Sequence, residues 1–142
     1  MATSARVGYG LTFAYQSAAG PPAVFTNYPE LLSATPPNEV KEVLDATHMG
    51  SPNRRREFIE ALIDSGEAEA VFNYTAAGFT ALNTVFNMSG AVPHKITFSD
   101  GGIAAFSAIM LEKPIDNIEI DGKMGMSATF KVSGVVTWTA GT

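Results

Sequence analysis

Residues 123–138 read KMGMSATFKVSGVVTW. Met126, Ala128, Phe130, Val132, Val136 and Trp138 fall on one side of this stretch, and Ser127, Thr129, Lys131, Ser133 and Thr137 on the other. A period of two with one apolar side predicts a strand with one face buried. The run from Met126 to Trp138 is longer than the typical strand of about five or six residues. Asp121-Gly122 just ahead of it is a hairpin signal, which makes Ile115–Ile120 the preceding strand.

The same pattern recurs upstream. In Glu67–Tyr74, Glu67, Glu69 and Asn73 share one face while Ala68, Ala70, Phe72 and Tyr74 share the other. Strands are also expected at Leu11–Tyr15, within residues 24–34 around Pro29, at Glu39–Thr47, at His94–Ser99 and at Ile103–Leu111, with Asp100-Gly101-Gly102 turning between the last two. Thr75 is placed to cap a helix running to about Met88, with Phe79, Leu82, Val85 and Phe86 as its apolar stripe. Ser51-Pro52 reads as a cap with proline at the first helical position. The four-residue spacings Phe58/Leu62 and Ile59/Ile63 then predict a short helix inside a long loop over residues 48–66, stopped at Gly66. Residues 1–23, rich in Gly and Ala and ending in AAGPPA, read as an extended arm. The expectation is one domain over 1–142, mainly β with one flanking helix.

Composition narrows the function. The chain has 142 residues, 46% of them hydrophobic and 16% charged, with a formal net charge of −5. Globular domains carry nearer a quarter of their residues as charge, so part of this surface is expected to be covered by other copies. Three of the nine basic residues are Arg54, Arg55 and Arg56. One basic triplet on an acidic body does not make the cationic face that counterion release requires, which argues against a dedicated nucleic-acid surface. The chain has no cysteine, hence no disulfide and no thiolate ligand or nucleophile. The start lacks the apolar core of a signal peptide and no apolar run reaches the roughly 20 residues of a membrane span, so synthesis in a cytoplasm and no membrane partner are expected.

Nothing in the chain assembles a catalytic or metal motif. His48 and His94 are the only histidines and have no second ligand at metal spacing. There is no nucleophile elbow, and Ser51 before a proline is better read as a helix cap. In Asp116–Gly122 a calcium loop begun at Asn117 would place Ala128 where a bidentate Glu is required. No Gly-rich stretch ends in the Lys-Ser/Thr of a phosphate loop. The expectation is no catalytic residue, no metal and no cofactor, and a structural role.

The string Asp45-Ala46-Thr47-His48-Met49, Ser51-Pro52, Arg56-Glu57-Phe58-Ile59, Leu62-Ile63-Asp64-Ser65-Gly66-Glu67 carries a resemblance. It is joined by Ile96-Thr97-Phe98-Ser99-Asp100-Gly101 and by Thr129-Phe130-Lys131-Val132-Ser133-Gly134. Over roughly residues 24–138 the chain resembles the tail tube, or major tail, proteins of lambda-like phages with long non-contractile tails, and those of gene transfer agents. The family pattern has one basic residue before Glu-Phe; here there are three.

The resemblance implies a β-sandwich or open barrel whose strands join those of neighbours into one continuous inner β-barrel. It implies stacked hexameric rings forming a hollow virion tail, through which DNA passes from capsid to host without specific binding. Tape-measure, tail terminator and baseplate or distal tail proteins are the further partners it implies. On that picture Glu67, Glu69, Ser127, Thr129, Lys131, Ser133 and Thr137 line the lumen. His48, Arg54, Arg55, Arg56, Glu57 and Phe58 contact a neighbouring subunit or ring. Two other readings stand beside it: a secretion-type tube subunit, and a β-sandwich that binds glycans or a receptor through Tyr15, Phe25, Tyr28 and Trp138.

Overall fold

A computed structural model describes residues 3, 5–18 and 20–141 of the chain. The elements in order are β1 (Thr12–Ala18), β2 (Val24–Asn27), β3 (Leu31–Thr35), β4 (Val40–Asp45), a single 3-10 turn at Pro52–Arg54, β5 (Phe58–Asp64), β6 (Glu67–Asn73), α1 (Ala76–Phe86), β7 (Val92–Thr97), β8 (Ile103–Glu112) and β9 (Gly125–Thr139). Seven strands form one antiparallel sheet in the order β2-β1-β7-β8-β9-β6-β3, and β4 with β5 makes a separate hairpin.

The chain order forces this sheet to curl. Its two edge strands, β2 and β3, are joined by only Tyr28, Pro29 and Glu30. Asn27 and Leu31 are four residue steps apart, so the edges sit within about 14 Å. The core shows the same closure. Phe13 of β1 and Phe130 of β9 have two strands between them, which on a flat sheet would separate them by about 14 Å. Their ring centroids are 5.4 Å apart. Tyr28 reaches Phe72 of β6 at 5.4 Å and Phe13 at 5.3 Å. Phe13, Tyr28, Phe72, Phe106 and Phe130 thus fill the interior of a nearly closed barrel, with Ala68, Ala70, Ala104, Ala108 and Ala128 giving the sheet room to bend around them. The helix α1 lies over this core through Leu82 and Val85, capped by Thr75 Oγ1, which accepts the Gly78 N–H at 2.9 Å.

A histidine sits among the core aromatics. His94 of β7 is 1% exposed. Its Nδ1 lies 2.7 Å from the Val92 carbonyl, which can only accept, so Nδ1 carries the proton. Nε2 is then the acceptor, and the Tyr28 hydroxyl donates to it at 3.0 Å. Burial pushes the His94 pKa down to about 4 and the Tyr28 phenol up, the latter with a smaller push from Tyr15.

Four expectations are corrected. The short helix in the 48–66 loop is a strand, β5, paired along its length with β4. Residues 58, 59, 61, 62 and 63 are all apolar, so the spacing of four fits both periods, and pairing decides. The extended arm ends at Leu11: the strand expected at Leu11–Tyr15 is present as Thr12–Ala18, but as an inner strand of the sheet with Phe13 wholly buried and not as part of an arm. Of the proposed arm, Met1, Ala2, Ser4 and Ala19 lie outside the described residues. Ile115–Ile120 is not a strand; only Ile115 bridges to Met126. Trp138 stands opposite buried Ala104 as the alternation requires, but near the end of β9, where it is 49% exposed.

Candidate assembly surfaces

The outer face of the sheet is the first surface. Antiparallel partners point to the same side, so Glu67 lies beside Lys131, Glu69 beside Thr129, and Ser127 beside Val71. On the other flank of β9, Ser133 pairs with Ser107 and Thr137 with Ala105. The seven polar residues singled out from alternation therefore share one face of β6 and β9. Their common placement follows from two regular strands in register.

The sequence reading missed Glu112. A register shift between Met110 and Glu112 changes the parity of β8 and brings Glu112 opposite Thr129, so two carboxylates flank that threonine. An alternation rule has no signal for such a bulge. A second irregularity sits lower in the same pair of strands: Ala105 and Ser107 of β8 face Thr137 and Ser133 of β9. The extra residues of β9 loop outward around Gly134, whose φ of +87° suits glycine, and leave Val135 81% exposed.

The second surface is the β4–β5 hairpin. Apart from half-buried Ala61, every residue of its two strands is exposed. Apolar side chains occupy both faces of the hairpin: a register shift between Lys41 and Val43 breaks the alternation of β5, so Phe58 and Ile63 share a face with Val43, while Ile59 lies on the other with Leu44. The hairpin is clamped only at its base. Lys131 Nζ meets Asp64 Oδ1 at 2.9 Å, the Trp138 indole N–H donates to Glu39 Oε1 at 2.6 Å, and the Ser65 hydroxyl donates to the Gly134 carbonyl. The Gly66 N–H and then Lys131 hold the Asp64 carboxyl below the ordinary carboxylate range. Between hairpin and β9 lies a cleft of about 700 Å³, lined by Leu62, Ile63, Val135, Glu39, Glu42 and Asp64 among others.

The tip of the hairpin, residues 46–57, is folded by its own polar groups. The Glu57 N–H donates to Thr47 Oγ1 at 2.8 Å, and Thr47 in turn bonds the Asp45 carboxylate, holding its pKa down. The Ser51 hydroxyl donates to Glu57 Oε2 at 2.7 Å and accepts the His48 backbone N–H at 3.0 Å. His48 Nδ1 accepts the Gly50 N–H at 3.1 Å, while Nε2 sits 3.3 Å from Glu57 Oε2. Ser51 therefore bonds a carboxylate and not an imidazole, and the three side chains fix the loop. Asn53 and Arg54 both have φ near +55°, a conformation that costs non-glycine residues roughly 1–2 kcal/mol each. That turn presents Arg54 and Arg55 outward with no partner among the described residues, while Arg56 pairs with Asp45 at 3.5 Å. The tip thus brings together all six residues named for inter-subunit contact, with Phe58 at its foot.

The aromatic residues expected of a glycan platform do not assemble: Tyr15 and Tyr28 are in the core. Among the described residues there is no cluster of metal-ligating side chains and no helix long and apolar enough to cross a membrane.

The family model described as "Lambda phage tail tube protein, TTP" matches residues 11–139. No curated protein matches the sequence. Among solved structures, the tail of an empty gene transfer agent particle refined with C6 symmetry is similar with a TM-score of 0.73 at 14% identity, covering 96% of this chain and 100% of that one. The SPP1 tail tube gives 0.65 at 13% identity, with 94% and 78% covered. The sheath/tube terminator structure of an extracellular contractile injection system gives 0.73 at 8%, with 99% and 100% covered. At these identities the likeness is one of fold.

Proposed function

The chain belongs to the lambda phage tail tube protein family and is a structural subunit of a tail tube; on that premise we propose how its surfaces divide the work. The sheet face of Glu67, Glu69, Ser127, Thr129, Lys131, Ser133 and Thr137 lines the lumen, and the β4–β5 hairpin reaches onto a neighbouring copy. Subunits close into hexameric rings that stack, and DNA passes through without binding. The further partners are a tape-measure protein, a tail terminator and baseplate or distal tail proteins.

The observation that carries this reading is the hairpin. A two-stranded ribbon with apolar residues on both faces is marginal in water by itself. Here Phe58, Ile59, Leu62 and Ile63 are each more than half exposed. Burial against another copy removes that area from water at about 25 cal/mol per Å². The lumen assignment is supported by charge. Glu67, Glu69 and Glu112 stand against Lys131 and Lys95 on the outer face of the sheet, so a ring of such faces offers DNA no counterion-release gain.

Electron microscopy of the purified protein over a concentration series, with light scattering alongside, tests the assembly. Hollow filaments or rings are expected. Particles that remain monomeric at all concentrations, and also when a tail initiator complex is supplied, would refute it.

A further inference from the structure

The tip and the base of the hairpin carry opposite charge at opposite ends of one element. Over residues 46–57 the tip holds three arginines against one glutamate, and Arg54 and Arg55 are free of partners among the described residues. Beside them Met49 is fully exposed. The basal cleft has the complementary make-up. Its floor is apolar, with Leu62 80% and Val135 81% exposed, and its rim carries Glu39, Glu42 and Asp64. Glu39 and Asp64 are engaged by Trp138 and Lys131, while Glu42 has no partner among the described residues.

Within one chain these two sites do not meet among the described residues. Glu42 lies three strand residues, about 10 Å, from Asp45 at the foot of the tip, and Leu62 four, about 13 Å, from Phe58; the tip loop runs on beyond that foot, and neither Arg54 nor Arg55 has a partner among the described residues. We propose that the arginine tip of one copy docks in the acidic basal cleft of another, with Met49 on Leu62 and Val135 and with Arg54 or Arg55 against Glu42. This rests on the tube reading and names the partner surface of the hairpin within it. The contact joins two different patches, so it repeats from copy to copy: each subunit offers a tip and a cleft, and the series either closes into a ring or runs on along the tube. The two consecutive left-handed residues at the tip fit this role, since such backbone persists where function holds it.

The test is a charge exchange with two variants. Arg54→Glu/Arg55→Glu reverses the tip, and Glu42→Arg reverses the rim of the cleft. All three positions are exposed in the monomer, so melting temperatures should match the wild type; Glu39 and Asp64 are left alone because they clamp the hairpin. Each variant alone should need at least about ten times more protein than wild type to grow tubes at low salt, as for other close charge pairs. The gap should narrow at 1 M salt, where the Debye length is about 3 Å. An equimolar mixture should recover growth, because each reversed tip then finds a reversed cleft. Wild-type growth by the tip variant, or failure of the mixture, would overturn the pairing while leaving the tube reading intact. A wild-type chain that forms no tube, even with an initiator, would instead fail the tube reading and take the pairing down with it.

Discussion

His94 offers a measurement of the core that no surface group can imitate. The ring is enclosed by Phe13, Phe106 and Phe130, at centroid distances of 5.4, 6.0 and 4.8 Å, and its one acceptor nitrogen is occupied by the Tyr28 hydroxyl. Protonating it would place a cation among aromatic rings and remove that acceptor. Its pKa is accordingly about 4 in the folded chain against 6.5 when exposed. Because the unfolded chain binds the extra proton first, stability is complete above pH 6.5, falls between 6.5 and 4, and levels off below. At 1.36 kcal/mol per pKa unit the full loss is about 3 kcal/mol, and by pH 5 about 2 kcal/mol has gone. Urea denaturation of the monomer at pH 7.5 and 5.0, at concentrations too low for assembly, reads this loss. His94→Gln keeps an oxygen acceptor for Tyr28 without a titrating ring, so its loss between the two pH values should be smaller by about 2 kcal/mol. Asp45 and Asp64, whose pKa values are lowered, lose their contributions only below about pH 4 and so do not enter this window. Equal losses in the two proteins, within about 0.5 kcal/mol, would refute the argument that His94 is buried neutral.

Other outcomes follow from the same geometry. Deleting residues 1–23 should unfold the chain, since it removes β1 from inside the sheet; Phe13→Ala alone should cost about 3–5 kcal/mol, read by denaturant titration. Gly66→Ala should be destabilising by more than about 1 kcal/mol, because φ is +77° there and the added methyl would fall on the Asn38 carbonyl; an unchanged melting curve would count against the tight joint between hairpin and β6. Leu62→Ser should leave monomer stability within about 0.5 kcal/mol while impairing tube growth, which separates assembly from folding. Glu67→Lys/Glu69→Lys should still assemble, but its tubes should retain duplex DNA in a salt-dependent way that wild-type tubes do not, as seen by co-sedimentation.

Much of the sheet was readable because β6 and β9 obey strict alternation over unbroken runs, and the polar residues assigned to one face do lie on it. What escaped was decided by partners distant in sequence. Phe58–Asp64 satisfies helical and strand spacing alike, and only β4 alongside selects the strand. The short strand expected at Leu11–Tyr15 was legible, but not its place inside the sheet, which pairing with β7, more than 70 positions on, decides by burying Phe13 and Tyr15. Glu112 reached the polar face through a bulge, which period two cannot foresee. At the tip, Ser51 before Pro52 did start a helical turn, but its hydroxyl went to Glu57 instead of capping, because one turn leaves little to cap.

The hairpin also bears on time. Its ladder has water on both sides and its anchors are all at one end, so its amides should open at little cost while those of the aromatic core open only with global unfolding. A subunit in solution should therefore spend part of its life frayed, and on the proposed docking a growing tube end would accept it only in the closed form. Two free subunits would each have to be closed at once, whereas a tube end already holds its half in place. Starting a tube should thus be far slower than lengthening one, and hydrogen exchange in β4 and β5, fast before docking and slow after, would date the moment each copy joined.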